Sequence, residues 1–360
     1  MCHHGQQGSD ALLLKTMNDT LQAMLSTVLR ELSLQFPCSA CPDAPIVENA
    51  SCYVLRIVPG IGTMPKKIVG AADVLKLRLA LPESLDLRFS IDRGAVVIEV
   101  PKLDHQRNFV KRTDLEASIV FPPSELIATI GQSTRGETVT LNFSNSASPH
   151  LLIGGATGSG KSIALATILD GLCANYSFLK LRLMLIDPKQ VELSRYANSR
   201  HLLRSIGYSP EDALAILDEA IVEMEHRYSI FRSNGTVNLA GYNAIASSTL
   251  QKPSIVVVID EYADLVNTKQ VKGAIEERLQ RLAAKGRAAG IHIILATQKP
   301  SAAVISTTIR SNFPAKLALR VCKAADSRIL LDENGAEALA GKGDALLSTA
   351  AGLVRLQTAM

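Results

Sequence analysis

The sequence predicts an α/β protein in which a parallel sheet carrying a phosphate loop follows a small α+β unit. Three observations predict it. Apolar runs at Leu151 to Ile153, Leu181 to Ile186, Ile255 to Ile259, Ile291 to Leu295 and Leu317 to Val321 are short and nearly continuous, as strands buried on both faces must be. Helical stretches separate these runs, the clearest from Glu211 to Phe231, and such alternation builds a sheet with ligands at the carboxyl ends of its strands. Between residues 52 and 101 the apolar period switches to two, which marks half-buried strands.

Taken in order, the chain opens with a polar tail and then a helical pattern. Leu14, Met17, Leu21, Met24, Leu25, Val28, Leu29 and Leu32 recur at three- and four-residue spacing until Pro37. The polar face of this helix carries few basic residues, so packing on the next unit is expected rather than binding to a membrane surface. Tyr53 to Val58 is a strand closed by Pro59-Gly60, and Ile68 to Leu81 is helical with Pro82 as its stop. Leu85, Leu87, Phe89 and Ile91 alternate with polar residues, and Val96 to Val100 is a strand ended by Pro101. These features divide the chain into an N-terminal helix and tail (1–45), a small α+β unit (46–135) and a nucleotide-binding domain (136–360).

With 47% hydrophobic and 20% charged residues among 360, wholesale disorder is excluded. No apolar run approaches the ~18 residues needed to cross a bilayer, and no secretory signal opens the chain, so a cytoplasmic protein is expected. The net charge of +4, from 38 Lys+Arg and 34 Asp+Glu, is compatible with a nucleic-acid partner but does not require one. Aromatics make up 4% and Trp is absent, which argues against a stacking platform for single strands. The six cysteines form no disulfide framework. Cys38 and Cys41 have the spacing of half a zinc site, whose other half would need Cys52, or Cys2, His3 and His4; ordinary reduced thiols are the simpler reading.

The chemistry concentrates at three strand ends. Gly155-Ala156-Thr157-Gly158-Ser159-Gly160-Lys161-Ser162 fits G-x-x-x-x-G-K-[ST], between an apolar strand and a helical run. Its glycines let backbone N–H groups close around phosphate oxygens, Lys161 reaches the β/γ-phosphates and Ser162 ligates Mg²⁺. Asp260 and Glu261 end the Ile255 to Ile259 run, Asp260 suited to hold Mg²⁺ and Glu261 to activate water. Gln298 ends the next run, after Thr297, and is placed to sense the γ-phosphate; a merely satisfied polar strand end is the alternative.

With these residues the chain resembles the FtsK/SpoIIIE family of hexameric DNA translocases over about residues 45 to 360. The resemblance rests on Pro149 to Gly155 leading into the phosphate loop, Leu185 to Leu193, Met224 to Tyr228 and Asn238 to Asn243. It continues through Asp260 to Leu265, Lys285 to His292 and Ala296 to Ser301, in order. It implies a RecA-like P-loop ATPase motor domain behind an α-domain-like unit, with ATP and Mg²⁺ as cofactors and double-stranded DNA as partner. It also implies that Arg287 is an arginine finger completing a neighbouring subunit's site, and that Lys299, Arg310, Lys323 and Arg328 contact the DNA backbone, Lys323 being shifted by about one place. Full-length members usually add an N-terminal membrane region and a C-terminal winged helix. This chain begins too late for the first and ends before the second, so a motor fragment or a compact relative from a mobile element or phage is expected.

The expected function is ATP-driven translocation of duplex DNA by a ring, for chromosome or plasmid segregation or for mobile-element transfer. Protein export by an EccC-type ATPase, or conjugative transfer of a single strand, are the alternatives. A basic pore favours DNA, an apolar or acidic one a polypeptide.

Overall fold

The computed structural model describes residues 22–42, 46–83 and 85–360. The helix expected from Leu12 is present from residue 22 to 33 (α1); Leu14, Met17 and Leu21 lie outside the described residues, as do Cys2, His3 and His4. Two compact units divide between Asn108 and Phe109.

The first unit is an antiparallel sheet covered by helices. Its strands are β1 (Cys38–Ala40), β2 (Ile46–Glu48), β3 (Cys52–Pro59), β4 (Arg88–Asp92) and β5 (Ala95–Pro101), in the order β1-β3-β5-β4 with β2 also on β3. Helices α2 (Pro65–Gly70) and α3 (Ala72–Arg78) replace the single expected helix, the break falling at Ala71. Leu25, Val28 and Leu32 of α1 share one core with Leu55, Ile57, Ile68, Leu75 and Ile98, so the N-terminal helix belongs to this unit rather than to a separate segment. Among the described residues, no group of three or more metal-ligating side chains is assembled.

In the second unit, α4 (Arg112–Glu116) precedes β6 (Ile127–Ser133), β7 (Thr138–Asn142) and β8 (His150–Gly154), which leads into α5 (Lys161–Asn175). Then come β9 (Leu181–Ile186), α6 (Pro210–Ser233), α7 (Leu239–Ile245), β10 (Ser254–Ile259), α8 (Tyr262–Leu265) and α9 (Lys269–Ala289). The chain finishes with β11 (Ile291–Thr297), α10 (Thr307–Asn312), β12 (Ala315–Leu319), α11 (Ala324–Leu331), β13 (Asp344–Thr349) and β14 (Gly352–Thr358). The nine strands form one sheet, β7-β6-β14-β13-β12-β8-β11-β10-β9. The five strands from β12 to β9 are parallel, as the apolar runs predict.

The other four strands are antiparallel and were not expected. They also explain the domain boundary: a division at 135/136 would cut β6 from both β7 and β14, although Ser133 pairs with Leu356 in the same sheet. β12 ends at Leu319 rather than Val321 because the Arg320 carbonyl turns to accept from the Ala156 N–H of the phosphate loop. No helix among the described residues is long and apolar enough to cross a membrane.

Alternate residues of the parallel strands feed two cores. Leu152, Ile186, Val257, Ile293 and Leu295 pack against α6 and α9; Leu151, Ile153, Leu185, Val258 and Ile294 pack against α5. Each such fully buried side chain contributes roughly 1.5–3 kcal/mol. Local signals start and stop the covering helices. Ser209 and Asp212 form a capping box on α6 with Pro210 in its first turn, and α9 ends at Gly290 in the left-handed conformation.

Two buried histidines tie the amino ends of β8 and β11 to α9. His150 donates from Nε2 to the Ala283 carbonyl and accepts the Ile293 N–H at Nδ1, each at 3.1 Å, and His292 donates from Nδ1 to the Pro149 carbonyl at 3.1 Å. Burial pushes His150 down to about 4 and His292 to about 3, the latter helped by the His150 ring and by Arg227 and Arg287. Folded pKa values below the unfolded ~6.5 mean that the unfolded chain takes up protons first. The stability contributed by the neutral rings is therefore complete above pH ~6.5 and lost as pH falls toward 4 and then 3. Urea unfolding at pH 7, 6 and 5 should show stability falling, each ring adding at most about 1.4 kcal/mol per pH unit; constant or rising stability over that range contradicts the assignment.

Candidate functional site

The parallel strands deliver the predicted groups to one edge. The loop after β8 closes as Gly160, at φ 103°, enters α5. A side chain there would be strained by the backbone and would meet the Gly343 nitrogen at 2.5 Å, so glycine is required twice over. The N-terminus of the 15-residue α5 leaves N–H groups and a positive potential facing the loop.

Lys161 is buried beside Asp260, which follows β10. Its Nζ donates to Asp260 Oδ1 at 2.7 Å and to the Asp260 carbonyl at 3.0 Å. Burial holds the Asp260 carboxyl above its ordinary value, opposed by the Lys161 ammonium. Asp260 Oδ2 and Ser159 Oγ are buried with no hydrogen-bond partner. An acidic oxygen left open at a phosphate loop fits a hard divalent cation that takes its remaining ligands from phosphate and water.

Glu261 is buried and held at both oxygens. Thr297 Oγ1 donates to Oε1 at 2.7 Å, the Gln298 N–H lies 3.0 Å from each oxygen, and Lys189 Nζ is 3.4 Å from Oε2. The Gln298 side chain turns the other way and accepts from Thr157 Oγ1 of the phosphate loop at 3.1 Å. One residue thus touches both the acidic group and the phosphate loop. A carboxylate in this setting can orient and deprotonate water for attack on a phosphate.

Lys161, Ser162, Asp260, Glu261 and Gln298 therefore gather as the sequence predicts, but Arg287 does not join them. It is exposed near the end of α9, its Nε 3.4 Å from the Ser144 carbonyl, and borders a cavity of about 370 Å³ with Asn238, Lys252 and His292. That is the amino end of β11, whose seven residues at ~3.3 Å each put the phosphate-loop edge roughly 20 Å away. Lys299 follows Gln298 and is exposed, as is Lys323, the N-cap residue of α11. Arg310 bonds Asp332 and Thr307, and Arg328 bonds Asn334, so both are engaged within the chain.

Sequence reasoning missed Thr297 and Lys189 as partners of Glu261. Lys189 stands in a block quoted for the family resemblance without a role, and Thr297 is one residue from Gln298. Their contacts span 72 and 36 positions and leave no local pattern.

The FtsK/SpoIIIE family model matches residues 119–302. A protein named DNA translocase FtsK from Lactiplantibacillus plantarum is 39% identical over 300 residues, 80% of this chain and 37% of that protein. Its Bacillus anthracis counterpart is 37% identical over 302 residues, 81% of this chain and 37% of that protein. The chain thus spans little more than a third of these relatives. Among solved structures, the pCW3 conjugation coupling protein TcpA with ATPγS superimposes with a TM-score of 0.64 at 21% identity, covering 94% of each chain. The cytoplasmic domain of the Thermomonospora curvata type VII secretion ATPase EccC gives 0.61 at 25% identity, over 70% of this chain and 32% of that one. Both share the P-loop ATPase fold seen here.

Replacing Thr297 by Val removes the hydroxyl that Glu261 accepts while keeping the volume. Nucleotide turnover should fall about ten-fold, with nucleotide affinity unchanged, because a hydrogen bond to a buried carboxylate contributes roughly 1.5–3 kcal/mol. Single-turnover hydrolysis and equilibrium binding separate the two effects; equal turnover means that Thr297 does not position Glu261.

Proposed function

The chain belongs to the FtsK/SpoIIIE family of P-loop ATPases, and from that premise we propose that it is a cytoplasmic ATP-driven motor that moves double-stranded DNA as a ring, most simply a hexamer. One observation supports this above the others. Gln298, which meets the phosphate loop through Thr157 and Glu261 through its N–H, is directly followed by exposed Lys299. A change at the γ-phosphate would be felt one residue from a cation suited to grip a phosphate backbone.

In this reading Lys161 leaves Asp260 to meet the incoming β/γ-phosphates, and Glu261 takes the proton of the attacking water. Mg²⁺, held by Ser162 and Asp260, would offset the charge on the phosphates. Arg287 cannot reach its own chain's phosphate loop, so it acts on a neighbour's, where it compensates charge in the transition state. Lys299 and Lys323 make sequence-independent contacts with DNA phosphates. Arg310 and Arg328 would have to release Asp332 and Asn334 to do the same. Segregation and mobile-element transfer are both served by such a motor.

Steady-state ATP hydrolysis with long linear duplex, single-stranded DNA or no DNA tests the proposal, with Lys161→Ala as the blank. Duplex should stimulate turnover, and salt should weaken that stimulation; Lys299→Ala should reduce the salt slope by about one. Stimulation by single strands alone would favour conjugative transfer instead. Hydrolysis indifferent to DNA and salt would remove the DNA reading in favour of a polypeptide cargo.

A further inference from the structure

Three cations converge on the turn that ends α11, Asp332-Glu333-Asn334-Gly335. Arg310 of α10 reaches Asp332 Oδ1 from its guanidinium at 3.3 Å, and Lys316 of β12 donates to Oδ2 of the same carboxylate at 2.6 Å. Arg328 donates from Nε to Asn334 Oδ1 at 2.9 Å. None of these side chains lines the nucleotide cavity.

The turn is pinned from below. The Asp332 N–H donates to the Arg328 carbonyl at 3.0 Å, and buried Ser327 donates to the Glu333 carbonyl at 2.8 Å while accepting from the Ala336 N–H at 3.1 Å. Glu337 Oε2 accepts from the Gly335 N–H at 2.8 Å. The backbone of the turn is thus fixed, whereas the long side chains that reach it are free to leave.

A carboxylate at 332 is locally disfavoured. Its φ of 64° is left-handed, where glycine or asparagine is the usual choice after a helix, and a negative charge there faces the negative end of the α11 dipole. What the carboxylate adds is its hold on Arg310 and Lys316. With the Asp332 side chain 62% exposed, that hold contributes little to stability and is open to competition. Arg310 is also short of acceptors. Its Nε is buried with no hydrogen-bond partner among the described residues, and its contact with Thr307 is long at 3.5 Å. A guanidinium in that state exchanges a single weak acceptor for a phosphate, which can take two of its donors at once.

We propose that Asp332 is an intramolecular substitute for the DNA backbone. It occupies Arg310 and Lys316 until a duplex phosphate displaces it, and Lys316 then joins Arg310 in holding that phosphate. The inference rests on the reading of the chain as a DNA motor. It adds to that reading a contact residue, Lys316, and a carboxylate that sets how tightly the resting chain grips. Each phosphate taken by the two cations has to displace the carboxylate first, so its charge subtracts from duplex affinity.

Fluorescence anisotropy of a short labelled duplex, titrated with the full chain, tests it. Asp332→Asn removes the charge and keeps a residue suited to the left-handed turn. Duplex affinity should rise about three- to ten-fold at low salt, and the gain should shrink as salt rises, because screening weakens the latch as well. Adding Lys316→Gln to Asp332→Asn should lower affinity and reduce the salt slope by about one, as a lost phosphate contact does. Equal duplex affinity in Asp332→Asn and the parent overturns the latch. So does weaker binding by Asp332→Asn with a lower unfolding temperature, which marks a purely structural pair. An unchanged salt slope on adding Lys316→Gln overturns Lys316 as a contact. A parent chain that binds no duplex at any salt overturns the DNA reading itself, and the latch with it.

Discussion

A buried ammonium and a buried carboxylate, Lys161 and Asp260, lie 2.7 Å apart at the carboxyl edge of the parallel sheet, and the rest of the larger unit is organised around that contact. Neither charge would be stable there alone, since taking an unpaired ion out of water costs several kcal/mol. Their pairing requires β8 and β10 to end at the same edge with β11 between them, which the parallel register secures. It also fills the lysine's coordination while leaving Asp260 Oδ2 open. In the proposed mechanism the contact is a resting arrangement that phosphate, arriving with its cation, displaces.

The two edges of the sheet carry different chemistry. The carboxyl edge gathers the phosphate loop, Asp260, Glu261 and Gln298; the amino edge carries Arg287 beside the neutral pair His150 and His292. Because Arg287 and Lys161 of one chain lie a strand length apart, a complete catalytic set in the proposed mechanism needs two copies placed head to tail. Interfaces of that heterologous kind close into rings when the rotation permits. The proposal of a ring therefore follows from distance within one subunit.

Legibility in the sequence tracked locality. The phosphate loop and the Asp260-Glu261 pair were readable because eight and two consecutive residues, each after an apolar strand, define them. The parallel strands were readable because burial on both faces leaves continuous apolar runs. The antiparallel strands β13 and β14 were not, since Asp344 and Arg355 look like surface charges until the fold buries them against each other. The same blindness put the unit boundary too late: β6 mixes apolar with polar residues, and its partner β14 lies some 220 positions away in sequence, a separation loop-closure physics permits at modest cost. Long-range partners also hid the roles of Thr297 and Lys189, and the engagement of Arg310 by Asp332.

In the proposed motor, hydrolysis needs Lys161 from one chain and Arg287 from the next. Lys161→Ala and Arg287→Ala, each alone, should be inactive in duplex-stimulated hydrolysis. Mixing them lets the Arg287→Ala chain's phosphate loop meet the Lys161→Ala chain's intact arginine, so turnover should reappear. Two inactive variants that stay inactive when mixed, although they assemble together, would contradict a site shared between subunits.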